Sequence, residues 1–313
     1  MPSGDPSIPH LTPISGIEIG VDVFVAELEK AGSPISEATR QAYESDLRQF
    51  ARFLHTVVAG PTVTSIEVGA VRAFCNHLQT QGRGPRTLAR KLASVRALHR
   101  FLQKRDLSSV DPTAGVKLPG MASDSAGLAR DDVETLMCLP DESYLGTRDR
   151  AILELLYGTG IRLSELLALN LSSVDVEAAS IHVIGPRQRT VPLGVHAVSA
   201  IRSYLRQRAE ALLDRQVEDL DVGALFLSSR GRRLRSRSVQ RIVERYLLKL
   251  TARDGGAHGP GVLRSAFAEH LTESGADAAG VAALLGTQNA TATGTSADPQ
   301  GLRERYLRAH PRV

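Results

Sequence analysis

With 313 residues, the chain is long enough for two domains that each bury their own core. Hydrophobic residues make up 42% but aromatics only 4%, with no Trp, so the cores are built from Leu, Val and Ala. Net charge is only +4, yet the pI is about 9.3 and arginine is clustered, which makes nucleic acid the partner to test, and no apolar run reaches the length of a membrane span.

Residues 1–16 are proline-rich, lack apolar periodicity and read as a flexible arm without the charged-then-apolar layout of a signal peptide; the expected location is cytoplasmic. From 17 to about 31, Val21, Phe24, Val25 and Leu28 have the spacing of an amphipathic helix. Ser36 is placed to cap a second one, carrying Tyr43, Leu47, Phe50, Phe53 and Leu54 on one side. A third helix follows Ser65, with Val68, Val71, Phe74, Cys75 and Leu78, and is closed by Gly82 and Gly84-Pro85. Cys75 and Cys138 lie far apart in leucine-containing patterns with no metal-ligand spacing. Both are expected to be reduced core thiols.

The fourth helix, 86–105, is the most informative piece of this half. At about 100° per residue, Leu88, Leu92, Val95, Leu98 and Leu102 fall on one side, while Arg86, Arg90, Arg96, Arg100 and Lys104 gather on the other. A solvated charged face is the plain alternative. Such a face normally intersperses acids with bases, and none occurs between Arg86 and Arg105, which favours a DNA-contacting helix.

Residues 111–127 are rich in Gly, Pro and small polar residues and are expected to be a linker between domain 17–110 and domain 128–313. In the second domain a helix runs through Val133, Leu136 and Met137, and a longer one spans about 144–157. Residues 180–184 and 189–193 flank Gly185-Pro186 as a β-hairpin in an otherwise helical domain, and 198–213 is again helical. The tract 230–245 carries Arg230, Arg232, Arg233, Arg235, Arg237, Arg241 and Arg245. Val239, Ile242, Val243, Tyr246 and Leu247 give it helical spacing, so a second phosphate-contacting surface is favoured over a polybasic loop. The fold class is therefore mainly α with a small β-hairpin or sheet.

One stretch organises the second domain. In LLYGTGIRLSELLALNL, 155–171, Gly158 and Gly160 break two short leucine-rich helices and leave Arg162 at the break. Its planar fork suits two phosphate oxygens, while a pair with Glu165 one turn on is the other use open to it.

GTGIRLSELLAL closely resembles the first arginine motif of tyrosine recombinases, the phage-integrase family, and of Xer recombinases in particular. SPISEATRQAYESDLRQFARFL and GRGPRTLARKLASVRALHRFL resemble the Xer core-binding domain, so the resemblance covers roughly residues 17–313. It implies a four-helix core-binding domain, a tyrosine-recombinase catalytic-type domain and a clamp around duplex DNA. In that chemistry a tyrosine attacks a backbone phosphate without metal or ATP, two arginines neutralise the developing charge, a hairpin lysine protonates the leaving oxygen and two histidines assist.

Carried onto this chain, the resemblance keeps the arginines and loses the rest. Arg162 matches the first arginine, and Arg264 in Gly261-Val262-Leu263-Arg264 matches that of the H-x-x-R box, whose histidine is replaced by Gly261. The hairpin keeps Arg189-Thr190-Val191-Pro192-Leu193 but is shortened, with Pro186 where the lysine belongs; Arg187 retains a possible phosphate contact yet is a poor proton donor. Thr287 stands for the second histidine. The nucleophile's place falls at Ser296 counting forward and at Gly294 counting back from Ala309-His310-Pro311-Arg312. Tyr306 matches an aromatic of the family's C-terminal helix, which docks into a neighbouring protomer on DNA. The expectation is a cofactor-free DNA-binding protein, catalytically defective and acting as an architectural or regulatory partner, self-associating or joining an active recombinase through its tail. The alternative is a divergent active recombinase using Tyr306, Ser296 or a neighbour's residues, since some members supply a tyrosine in trans.

Overall fold

The computed structural model describes residues 11–30, 35, 37–108, 110–116, 127–185, 187–213, 221–250, 259–287 and 299–312. The chain divides into two units, 1–123 and 124–313, each with its own hydrophobic cluster.

The first unit is built from α1 (Ile17–Glu29), α2 (Glu37–Val57), α3 (Val68–Thr80) and α4 (Pro85–Gln103). Their apolar stripes meet in one core, in which Phe24, Leu47, Phe50, Phe74, Leu88, Val95 and Leu98 are buried and the Phe50 and Phe74 rings pack edge to face. Pro85 at the first turn of α4 supplies a preset φ where the N–H has no intrahelical partner. Ser36, expected as the cap of α2, lies outside the described residues.

The expected linker gives way at its start. Thr113 is buried, its N–H and hydroxyl both donate to Asp111 Oδ1 at 2.8 and 2.6 Å, and Val116 packs on the first core, so 111–116 belong to this unit. The low periodicity that suggests a linker here is that of a side-chain-stabilised turn. Residues 117–126 lie outside the described residues.

The second unit comprises α5 (Arg130–Cys138), α6 (Tyr144–Thr159), α7 (Leu163–Ala168), β1 (Val174–Asp175), β2 (Ser180–Val183), β3 (Arg189–Pro192), α8 (Val195–Leu213), α9 (Ser236–Leu250), α10 (Gly261–Glu273), α11 (Ala278–Leu285) and α12 (Pro299–Ala309). At the centre lies α6, buried along nearly its whole length and packed between α8 and α10. Its ends are chemically marked: the Ser143 hydroxyl accepts from Gly146 N–H at 3.1 Å, and Gly160 closes it in the left-handed region at φ +59°. A Cβ at Gly160 would lie 2.5 Å from Phe267 Cδ1, so this turn requires glycine twice over.

The sheet is antiparallel in the order β1-β2-β3, with Ile181 opposite Val191 and Val183 opposite Arg189. Alternation puts Ile181, Val183 and Val191 in the core, and Pro192 is tolerated on the edge strand. Strand β1 is too short to leave a period-two signal. Cys138 also departs from expectation: it is exposed at the last residue of α5, one position past the buried Leu136 and Met137.

Candidate functional site

The turn after α6 delivers Arg162 to the N-terminus of α7. Glu165, three residues on, reaches back to accept the Arg162 N–H at 2.7 Å and its Nη1 at 2.9 Å. The intrahelical pair that the sequence left open is thus present, but it occupies only part of the guanidinium. Nη2 of Arg162 donates to the carbonyl of Gly286 at 2.8 Å, and the side chain is 36% exposed.

Three further arginines converge on the same place. From α10, Arg264 donates through Nη1 to Gly160 O and through Nη2 to Leu285 O at 2.8 Å. From the hairpin, Arg187 Nη1 donates to Gly286 O at 2.6 Å and Arg189 Nε to Leu284 O at 2.7 Å. Leu284, Leu285 and Gly286 form the C-terminal end of α11, where carbonyls lack intrahelical donors and the helix dipole is negative. Arg189 also grips Glu165 with both Nη atoms, at 2.9 and 3.0 Å.

The electrostatics follow from this crowding. Burial, with Arg162, Arg189 and Arg187 nearby and only Glu165 opposing, lowers Arg264 to a pKa of about 10, leaving it charged at neutral pH. Burial of Glu165 works to raise its pKa, but hydrogen bonds from Arg189 and from the Arg162 N–H outweigh it and hold the carboxylate at about 2. Four guanidiniums around one carboxylate and one helix end make a strongly cationic cluster suited to an oxyanion. Arg189, expected as a DNA contact, is 11% exposed and tied to Glu165, so it acts first as a brace.

Of the positions matched to the other reactive groups, Gly261 and Thr287 are among the described residues. Gly261 is the first residue of α10, and a Cβ there would meet nothing within 4 Å, so the side chain is missing but the room for it is not. The Thr287 hydroxyl donates back to Ala282 O at 3.4 Å. Pro186, Gly294 and Ser296 lie outside the described residues. Tyr306, the only tyrosine after Arg264 in the sequence, is 1% exposed, and its hydroxyl donates to Gly158 O at 2.9 Å.

The two basic tracts sort into exposed and inward-turned arginines. On α4, Arg86, Arg90, Arg100 and Lys104 are exposed, whereas Arg96 is partly covered and donates through Nε to Thr113 Oγ1 at 2.9 Å. In the second tract Arg232, Arg235, Arg237 and Arg241 are exposed. Arg233 instead meets Asp221, Asn170 and the carbonyls of Leu167 and Leu169 at 2.6 to 3.1 Å. Carbonyls at the end of α7 recruit it, which charge counting along the chain does not reveal.

Sequence reasoning also missed two buried carboxylates behind these helices. Asp149 on α6 holds Arg148, Arg245 and the Tyr246 hydroxyl of α9, and Asp46 on α2 holds three groups of α4. The signal for Asp46 was its place in the apolar stripe of α2, between Tyr43 and Phe50.

Residues 127–298 match the phage integrase family, and 21–106 match the N-terminal SAM-like domain of phage integrase. The chain is 33% identical to a tyrosine recombinase XerC of Oceanobacillus iheyensis over 95% of this chain and 97% of that one. It is 37% identical to a tyrosine recombinase XerC of Shewanella amazonensis, over 92% and 88% respectively. Among solved structures, the Tn1549 transposon integrase in complex with a circular intermediate DNA superposes with a TM-score of 0.66 at 15% identity, covering 92% of this chain and 99% of that one. A lambda integrase tetramer bound to a Holliday junction gives 0.66 at 17%, covering 95% and 80%.

Proposed function

Because the chain belongs to the phage integrase family and is Xer-like along most of its length, we propose that it is a DNA-binding tyrosine recombinase relative in which phosphate recognition is kept and strand cleavage is lost. One observation carries this reading. Arg162 and Arg264 meet at one helix end, ready for a phosphate, while the only downstream tyrosine spends its hydroxyl on a backbone carbonyl in the core.

The chemistry behind it is simple. Arginines stabilise charge on a phosphate, but cleavage also needs a nucleophile and a proton for the departing oxygen. Pro186 has no proton to give, Gly261 and Thr287 carry no imidazole, and Ser296 has no evident base in the sequence. Groups that act as a unit lose most of the rate together. The exposed faces of α4 and α9 supply the remaining phosphate contacts, and the protein serves as an architectural or regulatory partner in DNA recombination. Since lambda integrase is found as a tetramer on a junction, assembly of this chain with itself or with an active recombinase belongs to the same proposal.

The second reading is an active recombinase that completes its site from a neighbouring protomer. The cationic cluster, still placed for transition-state charge, is what favours it. Incubation with a nicked suicide duplex followed by denaturing electrophoresis separates the two. No covalent adduct is expected, whereas Arg162→Ala or Arg264→Ala should weaken duplex binding by about tenfold or more. An adduct formed by the wild type and abolished by Tyr306→Phe would establish an enzyme and a displaced nucleophile.

A further inference from the structure

Behind the basic face of α4 sits a carboxylate with no access to solvent. Asp46, on α2, is 2% exposed. Its Oδ1 accepts from Lys91 Nζ at 2.8 Å, and its Oδ2 accepts from Ser94 Oγ at 3.0 Å and from Arg90 Nη1. All three donors belong to one turn of α4, at positions 90, 91 and 94. Lys91 is itself 7% exposed and makes a second bond, to Gln49 Oε1 at 2.6 Å. One side chain therefore fixes both the rotation of α4 about its axis and its height against α2.

Arg90 stands apart from the other two donors. Its side chain is 48% exposed although one nitrogen of its fork is held by the buried Asp46. A guanidinium has five donors in a rigid plane, so one nitrogen anchored inside still leaves the opposite edge for an oxyanion outside. Along the helix, Arg86, Arg90, Arg100 and Lys104 share one exposed stripe. Arg90 is the member whose orientation is set from within.

We infer that Asp46 is a positioning residue for the DNA face of the first unit: it presents the free edge of Arg90 to a backbone phosphate and, through Lys91 and Ser94, holds the stripe of α4 in register. The inference rests on the proposed DNA-binding function. Its consequence runs against simple charge counting, because removing a carboxylate from a protein that binds a polyanion should tighten binding.

The test is duplex affinity as a function of salt, well below the thermal transition of each variant. Asp46→Asn should bind on the order of fivefold to tenfold more weakly, with the salt slope reduced by about one phosphate contact, as in Arg90→Ala. In the Arg90→Ala background, Asp46→Asn should cost less than it does alone, leaving only the part carried through Lys91 and Ser94. A purely structural Asp46 would lower the melting temperature yet leave the folded protein's affinity unchanged or raised, and its effect would be additive with Arg90→Ala; either result overturns the inference. Should Asp46→Asn fail to fold, Arg90→Lys at the surface decides. A lysine keeps the charge but cannot bridge Asp46 and a phosphate with one rigid fork, so binding should fall nearly as far as in Arg90→Ala, and wild-type affinity would refute the idea. If instead Arg86→Ala with Arg100→Ala binds duplex as wild type does, the DNA-binding role of this face fails, and the inference with it.

Discussion

Glu165 shows what a single residue does at the cationic centre. It neutralises part of the charge of Arg162 and Arg189 and keeps the turn before α7 closed. A carboxylate whose pKa is lower in the folded chain adds stability above its unfolded pKa and loses it as pH falls through the folded one. Glu165, ordinarily near 4.5 and held at about 2, therefore contributes fully at neutral pH and progressively less from 4.5 down to 2. The contribution is on the order of 3 kcal/mol. Acid unfolding of Glu165→Gln, followed by circular dichroism, should lack that part of the limb while being less stable at pH 7. Arg162 and Arg264 were legible in sequence because their motifs are local. The role of Arg233 was not, since its partners Leu167, Leu169 and Asp221 are brought together only by the fold.

Among the elements, α12 with the residues after it carries the long-range pairs of the chain's end. The resemblance implies a tail that docks into a neighbouring protomer; in the structure it lies on its own unit. Arg303 donates to Ala178 O at 3.1 Å, Arg305 pairs with Asp277 at 3.1 Å, and His310 stacks on Tyr306 with ring centres 4.9 Å apart. Arg312 pairs with the buried Glu154 at 2.6 Å and with Glu134. Gly194 makes this approach possible, because a Cβ there would meet the Arg312 carbonyl oxygen at 2.3 Å. Deleting 301–313 would thus remove part of a core and cannot by itself report on assembly. Burial lowers His310 to a pKa of about 3, a backbone hydrogen bond at Tyr157 opposes this, and Arg312, His270 and Arg130 add to the lowering. A base with a depressed folded pKa stays neutral in the folded chain but takes up a proton when released. Docking of the tail is therefore strongest above 6.5 and weakens as pH falls toward 3, by up to about 1.4 kcal/mol per pH unit. The protection factors of the α12 amides, which correct for the intrinsic rate, should fall below pH 6.5, and that fall should vanish in His310→Asn. Helical periodicity predicted α4 and α9 well; where each one docks depends on long-range pairs that periodicity does not encode.

At the scale of the molecule, the two units keep separate cores, and the first is closed by its own 111–116 turn. Residues 11–116 alone should accordingly fold, with helical circular dichroism and one cooperative transition, and should bind duplex with a salt dependence of its own. The full chain should bind more tightly than either unit by a factor far above their sum, as expected when two sites share a tether. Equal affinity for the unit and the whole would assign all binding to α4. The two units divide at 123/124, inside the stretch read as a linker, while its first residues belong to the first unit because a turn built on Asp111 and Thr113 looks like a linker when read as letters.

The oxygen of Gly286 has a consequence for selectivity. It already holds Arg162 and Arg187, so the protein carries its own occupant for the place a phosphate would take. An internal rival is present at a fixed and high local concentration, and a lone phosphate or nucleotide must displace it with nothing else to offer in return. Under the proposed function, a polyanion with further contacts on the exposed arginines would win that exchange. The cluster would then favour long polyanions over small anions, because only the former could offset the loss of the contacts to Gly286 O.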